Sequence, residues 1–327
     1  MAQANPSPRF HDLPVSRVTP EAAGAVAISF AVPPALRESF KFEPGQFLTL
    51  RAQIGSEDVR RSYSICSASA RYRDSGELEV GIRPMEGGLF SNWAAKAVKV
   101  GDVLPVMPPD GRFVSKRARA IHRVGFAAGS GITPILSIIA TSLQEQPNSK
   151  FTLVYGNRSM ASVMFNEALQ DLKDRYLTRL TLIHILSRQA QEVDLLHGRI
   201  DAAKVKALVA ALLPAFSMDE VFICGPEAMI EATQGALGRL HHAFWPANED
   251  FIHAVGRQQR RNQCLHFCAI NAALQQVHFL RLTRQDVNQR QAIRVPVFEV
   301  LQGLIEHHAG HAAVAINQRE FGVSLIL

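Results

Sequence analysis

The sequence predicts a β-barrel or sandwich domain over residues 1–117, followed by a doubly wound parallel α/β domain over 118–240. Three observations carry this reading. Up to residue 117, short apolar runs punctuated by Pro and Gly recur at roughly ten-residue spacing. From 124 onward, strand-length apolar runs alternate with helix-length ones, the pattern of a parallel sheet covered on both faces. Near Gly238 the composition shifts: residues 239–327 hold no Lys, ten Gln and eight of the twelve His.

The first domain reads as strands at 24–32, 46–52, 62–66, 77–82 and 102–107. Breakers separate them: Pro33-Pro34, Pro44-Gly45, Asp74-Ser75-Gly76, Gly87-Gly88 and Pro108-Pro109-Asp110-Gly111. Residues 117–122 read as a linker. The second domain then alternates strand 124–128, helix 132–143, strand 151–155, helix 161–172, strand 180–186, helix 202–212, strand 220–224 and helix 227–237. Past it, only Val297, Val300, Leu301, Leu304 and Ile305 share one helical face, so residues 241–327 form a C-terminal segment of unknown fold.

Composition excludes several classes. Hydrophobic residues are 47% and charged residues 20%, as in ordinary globular protein. No apolar run is long enough for a transmembrane helix, so no membrane partner is expected. Residues 1–13 lack the apolar core of a secretory signal. The net charge of +6 splits evenly about Gly238, with no concentrated basic face, so nucleic acid is not an expected partner. Four cysteines are too few for a disulfide scaffold and suit a reducing cytoplasm.

Five motifs carry candidate chemistry. Arg61-Ser62-Tyr63-Ser64 offers a guanidinium for a pyrophosphate, an aromatic face for a flat ring and a hydroxyl for the ring edge. Gly87-Gly88-Leu89-Phe90-Ser91 pairs glycines with a helix start, which suits a phosphate; Ser91 adds a donor. Gly129-Ser130-Gly131-Ile132-Thr133-Pro134 joins a strand to a helix, where parallel sheets bind ligands outside their carboxyl ends. Its glycines admit a pyrophosphate, Thr133 can donate to it, and Pro134 sits where a helix tolerates proline. Tyr155-Gly156-Asn157-Arg158-Ser159 ends the next strand with an Arg and no acid, which favours a ribose 2′-phosphate and hence NADPH over NADH. Cys224-Gly225-Pro226 closes another strand, placing a polarizable sulfur at the same sheet edge. Each motif alone also suits a plain structural role: a solvated edge strand, a Gly-Gly turn, an exposed loop Arg, a buried core Cys.

In this order and spacing the five resemble the ferredoxin–NADP reductase superfamily over residues 10–238. Within it they are most similar to the reductase subunits of phenylacetyl-CoA epoxidases, through phrases such as Arg60-Arg61-Ser62-Tyr63-Ser64-Ile65-Cys66 and Phe222-Ile223-Cys224-Gly225-Pro226. The resemblance implies an FAD-binding β-barrel domain and an α/β NADP-binding domain. It implies that Arg61, Tyr63 and Ser64 hold the flavin and that Gly87, Gly88 and Ser91 hold its pyrophosphate. It implies that Gly129, Gly131 and Thr133 hold the nicotinamide nucleotide's phosphates, that Arg158 holds its 2′-phosphate, and that Cys224, Gly225 and Pro226 lie at the nicotinamide, with Tyr63, Ser64 and Cys224 nearest the chemistry. The implied activity is NADPH oxidation through FAD with electrons passed to an oxygenase, in phenylacetate degradation. The implied partners are di-iron epoxidase subunits or a separate ferredoxin. A stand-alone ferredoxin or flavodoxin reductase, and a subunit binding FAD only structurally, are the alternatives.

The family's C-terminal 2Fe–2S domain needs a C-x₄-C-x₂-C run and a distant fourth Cys. Past Gly238 this sequence has only Cys264 and Cys268, so the ligands of such a cluster are absent from it. Neither Cys264, His266 and Cys268 nor His307, His308 and His311 fits a standard zinc spacing, and no metal is expected. Two readings of 241–327 stand: a different domain, or an out-of-frame translation of the ferredoxin region.

Overall fold

The computed structural model describes residues 9–115, 121–212, 218–244 and 252–256. Most of the 241–327 segment, with its Cys and His clusters, and residues 117–120 of the expected linker lie outside the described residues.

The first domain is a six-stranded antiparallel sheet of β1 (His11–Pro20), β2 (Val26–Ala31), β3 (Phe47–Ile54), β4 (Glu57–Ser64), β5 (Glu77–Ile82) and β6 (Val103–Val106), in the order β4-β3-β6-β1-β2-β5. It curls until its two edge strands meet: Ile65 bridges Val80, and Cys66 N–H donates to Glu79 O at 2.8 Å. The alternation of β3 shows how the sheet fills its interior. Leu48, Leu50 and Ala52 of β3 point inward while Thr49 and Arg51 do not, and Phe30, Phe40, Leu78, Val80 and Val106 complete the interior. Several features here escaped the sequence reading, among them β1, the first half of β4 and the short helix after it. β1 bulges between Val15 and Arg17 and carries only Leu13 and Val15 as buried apolar residues, so its alternation is weak. β4 starts at Glu57, five residues before the expected 62, because its first half is a polar hairpin arm with Val59 alone turned inward. Helix α1 (Ser69–Ser75) follows, stopped by Gly76 in the left-handed region at φ +76°. Helix α2 (Leu89–Ala97) opens directly after Gly87-Gly88.

The second domain is an all-parallel sheet of β7 (His122–Ala128), β8 (Lys150–Asn157), β9 (Leu180–Leu186), β10 (Glu220–Gly225) and β11 (Ile252–Gly256), in the order β11-β10-β7-β8-β9. Helix α3 (Ile132–Glu145) and Leu169 of α4 (Asn166–Arg175) cover one face, and α5 (Ala202–Leu212) and α6 (Glu227–Phe244) cover the other. The α3 face also receives Ala25, Ala27, Cys66 and Phe113 from the first domain, so one core runs through both domains. Because the sheet grows from β7 to β8 and β9 on one side and to β10 and β11 on the other, its switch point lies between β7 and β10.

Three expectations need correction. His122 opens β7 and is not linker. The helix expected at 161–172 is a 3₁₀ turn, Met160–Ser162, then α4 starting at Asn166. Ser159 and Ser162 cap that turn reciprocally, and Phe165 at φ +58° interrupts helical backbone before α4. The sheet also takes a strand from beyond 240. β11 pairs in parallel with β10 from Val221–Ile252 to Gly225–Gly256. Its His253 stacks on Phe222 at 4.9 Å and meets Glu220 Oε1 at 3.0 Å, while Glu220 Oε2 accepts from Arg123 Nε at 3.0 Å. Arg123 and Glu220 are fully buried at the sheet's other end, far along the strands from the glycine turns.

The first domain carries a second charged network. Arg71 donates to Glu77 at 2.7 Å and to Glu79 at 3.0 Å, and Ser29 Oγ donates to Glu79 at 2.8 Å. Burial alone raises the Glu79 carboxyl, but Arg71 and Ser29 together bring it below the ordinary range; the Arg71 hydrogen bond lowers Glu77 as well. A carboxylate with a lowered folded value stabilises the fold above its unfolded value, and that contribution is lost as pH falls through the folded one. Glu79→Gln should therefore destabilise the protein by about 1–3 kcal/mol at neutral pH. Thermal unfolding followed across pH 3–7 should show a shallower acid limb than the wild type; parallel limbs would contradict the network's role.

Candidate functional site

The turn after β7 is under a tight backbone constraint. Gly129 has φ +55°, and a Cβ at Gly131 would lie 2.1 Å from Cys224 O and 2.9 Å from Gly225 N. The turn thus packs backbone to backbone on the end of β10, at the switch point. Tyr155, fully buried in β8, donates from its hydroxyl to Gly129 O at 2.8 Å and ties the turn to the neighbouring strand. Sequence reasoning gave Tyr155 no role, since a strand Tyr carries no spacing signal.

Cys224 is buried beside this turn, and burial pushes its thiol up to about 12. The sulfur is therefore a neutral packing group rather than a nucleophile. Gly225 ends β10, where a Cβ would meet the Met229 terminal methyl and Ala128. Pro226 is exposed and its carbonyl accepts from Met229 and Ile230, starting α6. Thr133 is placed differently from the expectation of a phosphate donor: its hydroxyl donates to Ser130 O at 3.0 Å. Its methyl instead abuts Gly81 of β5, where a Cβ would come within 2.7 Å. Arg158 and Ser159 follow β8; the Arg158 side chain is exposed, with no hydrogen bond among the described residues.

In the first domain, β4 ends in Arg61, Ser62, Tyr63 and Ser64. Arg61 is exposed and donates from Nη1 to Arg60 O. The half-buried Tyr63 ring rests on Phe90 of α2 at 5.7 Å, and burial pushes its phenol up to about 12, so the ring is a neutral platform. Ser64 is half-buried and its hydroxyl has no partner among the described residues. Gly87 has φ +68° with open space where a Cβ would stand, and Gly88 is the N-cap of α2 with no side-chain cap. A Cβ at Gly88 would lie 2.5 Å from Ser91 Oγ. Ser91 is buried and serves the loop, accepting from Met85 N and donating to Gly88 O, while Asn92 Nδ2 donates to Met85 O and Gly88 O. An uncapped helix start over glycines, beside an aromatic platform and a free hydroxyl, fits a dinucleotide with a flat ring system.

The two halves adjoin. Arg83, just past β5, comes within 3.0 Å (Nη1) of where a Gly129 Cβ would be. It makes no hydrogen bond among the described residues. Sequence reasoning missed it because an isolated Arg after a strand has no distinguishing pattern.

Comparisons with known proteins agree with this geometry. Residues 14–114 match an oxidoreductase FAD-binding domain, and residues 126–235 match an oxidoreductase NAD-binding domain. The chain carries both of these oxidoreductase domains. The chain is 47% identical over 233 residues to one of the subunits of 1,2-phenylacetyl-CoA epoxidase from Escherichia coli, covering 71% of this chain and 64% of that protein. It is 37% identical to the ferredoxin reductase component of 3-ketosteroid-9-alpha-monooxygenase from Rhodococcus rhodochrous, covering 69% and 60%. It thus spans less than two thirds of the length of these relatives. Among solved structures, a ferredoxin NADP+ reductase from Neisseria gonorrhoeae with bound FAD and NADP superposes with TM-score 0.61 at 22% identity, covering 76% of this chain and 99% of that one. The chain is therefore an FAD- and NAD-binding oxidoreductase by its domains. Among the described residues, no helix is long and apolar enough to cross a membrane.

The two glycine positions should respond differently. Gly131→Ala forces backbone apart at the switch point and should cost several kcal/mol, roughly 3 or more, with loss of nucleotide binding. Gly87→Ala meets no atoms and bears only the left-handed backbone penalty, about 1 kcal/mol. Equal losses in thermal unfolding would show that the 131 contact is looser than described.

Proposed function

We propose that this chain takes a hydride from NADPH onto FAD and hands the electrons on singly to an oxygenase component. The observation that carries the reading is the adjacency of the nucleotide turn at Gly129–Gly131 to β5 and Arg83 of the FAD-binding domain. Two dinucleotide sites that meet at their reactive ends suit direct transfer between rings. Bound FAD supplies the conversion of a two-electron donor into single-electron steps.

The protein's own residues bind, orient and exclude. Tyr63 gives the flavin ring a neutral face, and Ser64 gives its edge a hydroxyl. Arg61 takes the pyrophosphate, with the α2 N-terminus and Gly87-Gly88 beside it. Gly129 and Gly131 admit the nicotinamide nucleotide's pyrophosphate, and Arg83 lies close enough to share it. Cys224 holds the nicotinamide by bulk, without covalent chemistry. Arg158 and Ser159 read the 2′-phosphate, since that strand end carries no acid to accept from a free 2′-hydroxyl.

The 47% identity to the E. coli epoxidase protein supports an oxygenase of phenylacetyl-CoA as the partner, and the sparse cysteines support the cytoplasm as the setting. The substrate would bind the oxygenase, so no residue described in this chain reads it. With only Cys264 and Cys268 past Gly238, a plant-type cluster cannot be assembled from this sequence, and a separate ferredoxin would carry electrons onward.

Anaerobic NADPH should bleach the flavin bands of the purified protein, and ferricyanide should be turned over. Transfer to a di-iron epoxidase should require added ferredoxin; transfer without it, with about two irons and acid-labile sulfide per chain, would overturn the view of the C-terminal segment. A flavin that NADPH leaves oxidised would instead indicate a structural role for FAD. Arg61→Ala should yield protein with little flavin, the loss of a charge-assisted contact of about 1.5–3 kcal/mol. Arg158→Ala should raise KM for NADPH about ten- to a hundredfold and leave NADH kinetics almost unchanged. Equal losses with both cofactors would make Arg158 structural.

A further inference from the structure

Two non-glycine residues among those described have backbone in the left-handed region, Ala23 at φ +57° and Phe165 at φ +58°. They lie in different domains, yet they belong to one contact. The 3₁₀ turn Ala22–Gly24 of the FAD-binding domain packs against the turn Met160–Ser162 of the NAD-binding domain. Glu21, beside the first turn, accepts a hydrogen bond from the Phe165 backbone N–H through Oε2 at 2.8 Å. Strained backbone persists only where its surroundings over-determine it, and such sites cluster where geometry matters to function.

Phe165 is held at its other end as well. Its ring lies against Gly81 of β5, where a Cβ would come within 2.8 Å. The segment from Arg158 to Phe165 is therefore a short brace. The Ser159–Ser162 capping pair stiffens its start, Val163 and Met164 are buried in its middle, and Glu21 with Gly81 pins its end to the other domain. Arg158 leads directly into it. A half-buried carboxylate is a costly partner for a turn's backbone amides. Burial raises the Glu21 carboxyl above the ordinary range, the Phe165 and Ala22 amides oppose this, and Glu79 and Glu167 add to it. A solvent-facing turn would need no such group.

We propose that Glu21 is a positioning residue for the nucleotide: by holding the Phe165 amide it fixes segment 158–165, and with it Arg158, against the FAD-binding domain. This rests on the reading of Arg158 as the 2′-phosphate partner. It assigns specificity for the phosphorylated nucleotide to a contact made by the flavin half of the molecule. In this assignment Glu21 acts through the Phe165 amide.

The test uses the full-length, FAD-loaded protein and 2′,5′-ADP, which carries the 2′-phosphate without the nicotinamide. Titration calorimetry should show tight binding to the wild type and about five- to tenfold weaker binding to Glu21→Ala, the loss of one hydrogen bond of ordinary net strength. Flavin content should stay unchanged, and the steady-state defect should fall on KM for NADPH rather than on kcat. Glu21→Gln keeps an acceptor for the amide and should restore binding. Wild-type affinity in Glu21→Ala, or equal loss in both variants, would overturn the proposal. A wild type blind to 2′,5′-ADP would remove the Arg158 reading itself, and Glu21's role with it. Should Glu21→Ala not fold, hydrogen exchange on the unaltered protein decides. The Phe165 amide should be protected and become more so on saturation with 2′,5′-ADP, and no change at that amide would refute the coupling.

Discussion

Everything at the ligand edge of this molecule depends on one backbone approach. At the switch point, the Gly131 turn lies directly on the carbonyl of Cys224 and the amide of Gly225, with no room for a single methyl group. That closeness brings the end of β7 and the end of β10 together into one narrow crevice. It also lets Tyr155 reach across from β8 to hold the Gly129 carbonyl. Three parallel strands are thereby locked at the edge where a parallel sheet binds its ligand.

The second constraint is that the two domains do not merely abut. The α3 face of the parallel sheet shares its core with Ala25, Ala27, Cys66 and Phe113 of the barrel. Polar contacts frame this seam: Ser137 Oγ donates to Ser67 O at 2.7 Å, Ser69 N–H donates to Thr141 Oγ1 at 3.0 Å, and Arg73 pairs with Glu145. Gly81 lets Thr133 and Phe165 approach β5 together. A rigid seam suits the proposed transfer between two rings, because misplacement by about 1 Å can cost a hundredfold in rate.

The charged networks sit apart from this edge. Arg123, Glu220 and His253 are buried at the opposite end of the sheet and attach β11. Arg71, Glu77 and Glu79 brace the barrel beneath β5. Buried ion pairs add little net stability for their desolvation, but they define which partner a strand accepts. The first network joins strands distant in the chain, whereas in the second Arg71 pairs with chain neighbours and Ser29 brings in a distant strand.

Sequence alone determined much of this protein. The change from short punctuated strands to alternating strands and helices marked both domains, because side-chain periodicity is local. The glycine turns were legible because backbone that must approach a ligand or another backbone leaves glycine as its trace. The Arg158 position and the Cys224 strand end were legible from their place after apolar runs. Tertiary structure decided the rest. It moved the start of α4 from 161 to 166, since the left-handed Phe165 is held by Glu21 from the other domain. It gave Thr133 a structural partner at Ser130 and brought Arg83 and Tyr155 to the Gly129 turn. It added β11 from beyond the composition shift near Gly238, through pairing with β10 and the stacking of His253 on Phe222. Each of these contacts joins residues distant in the chain, and local periodicity carries no record of which distant residue will close on it.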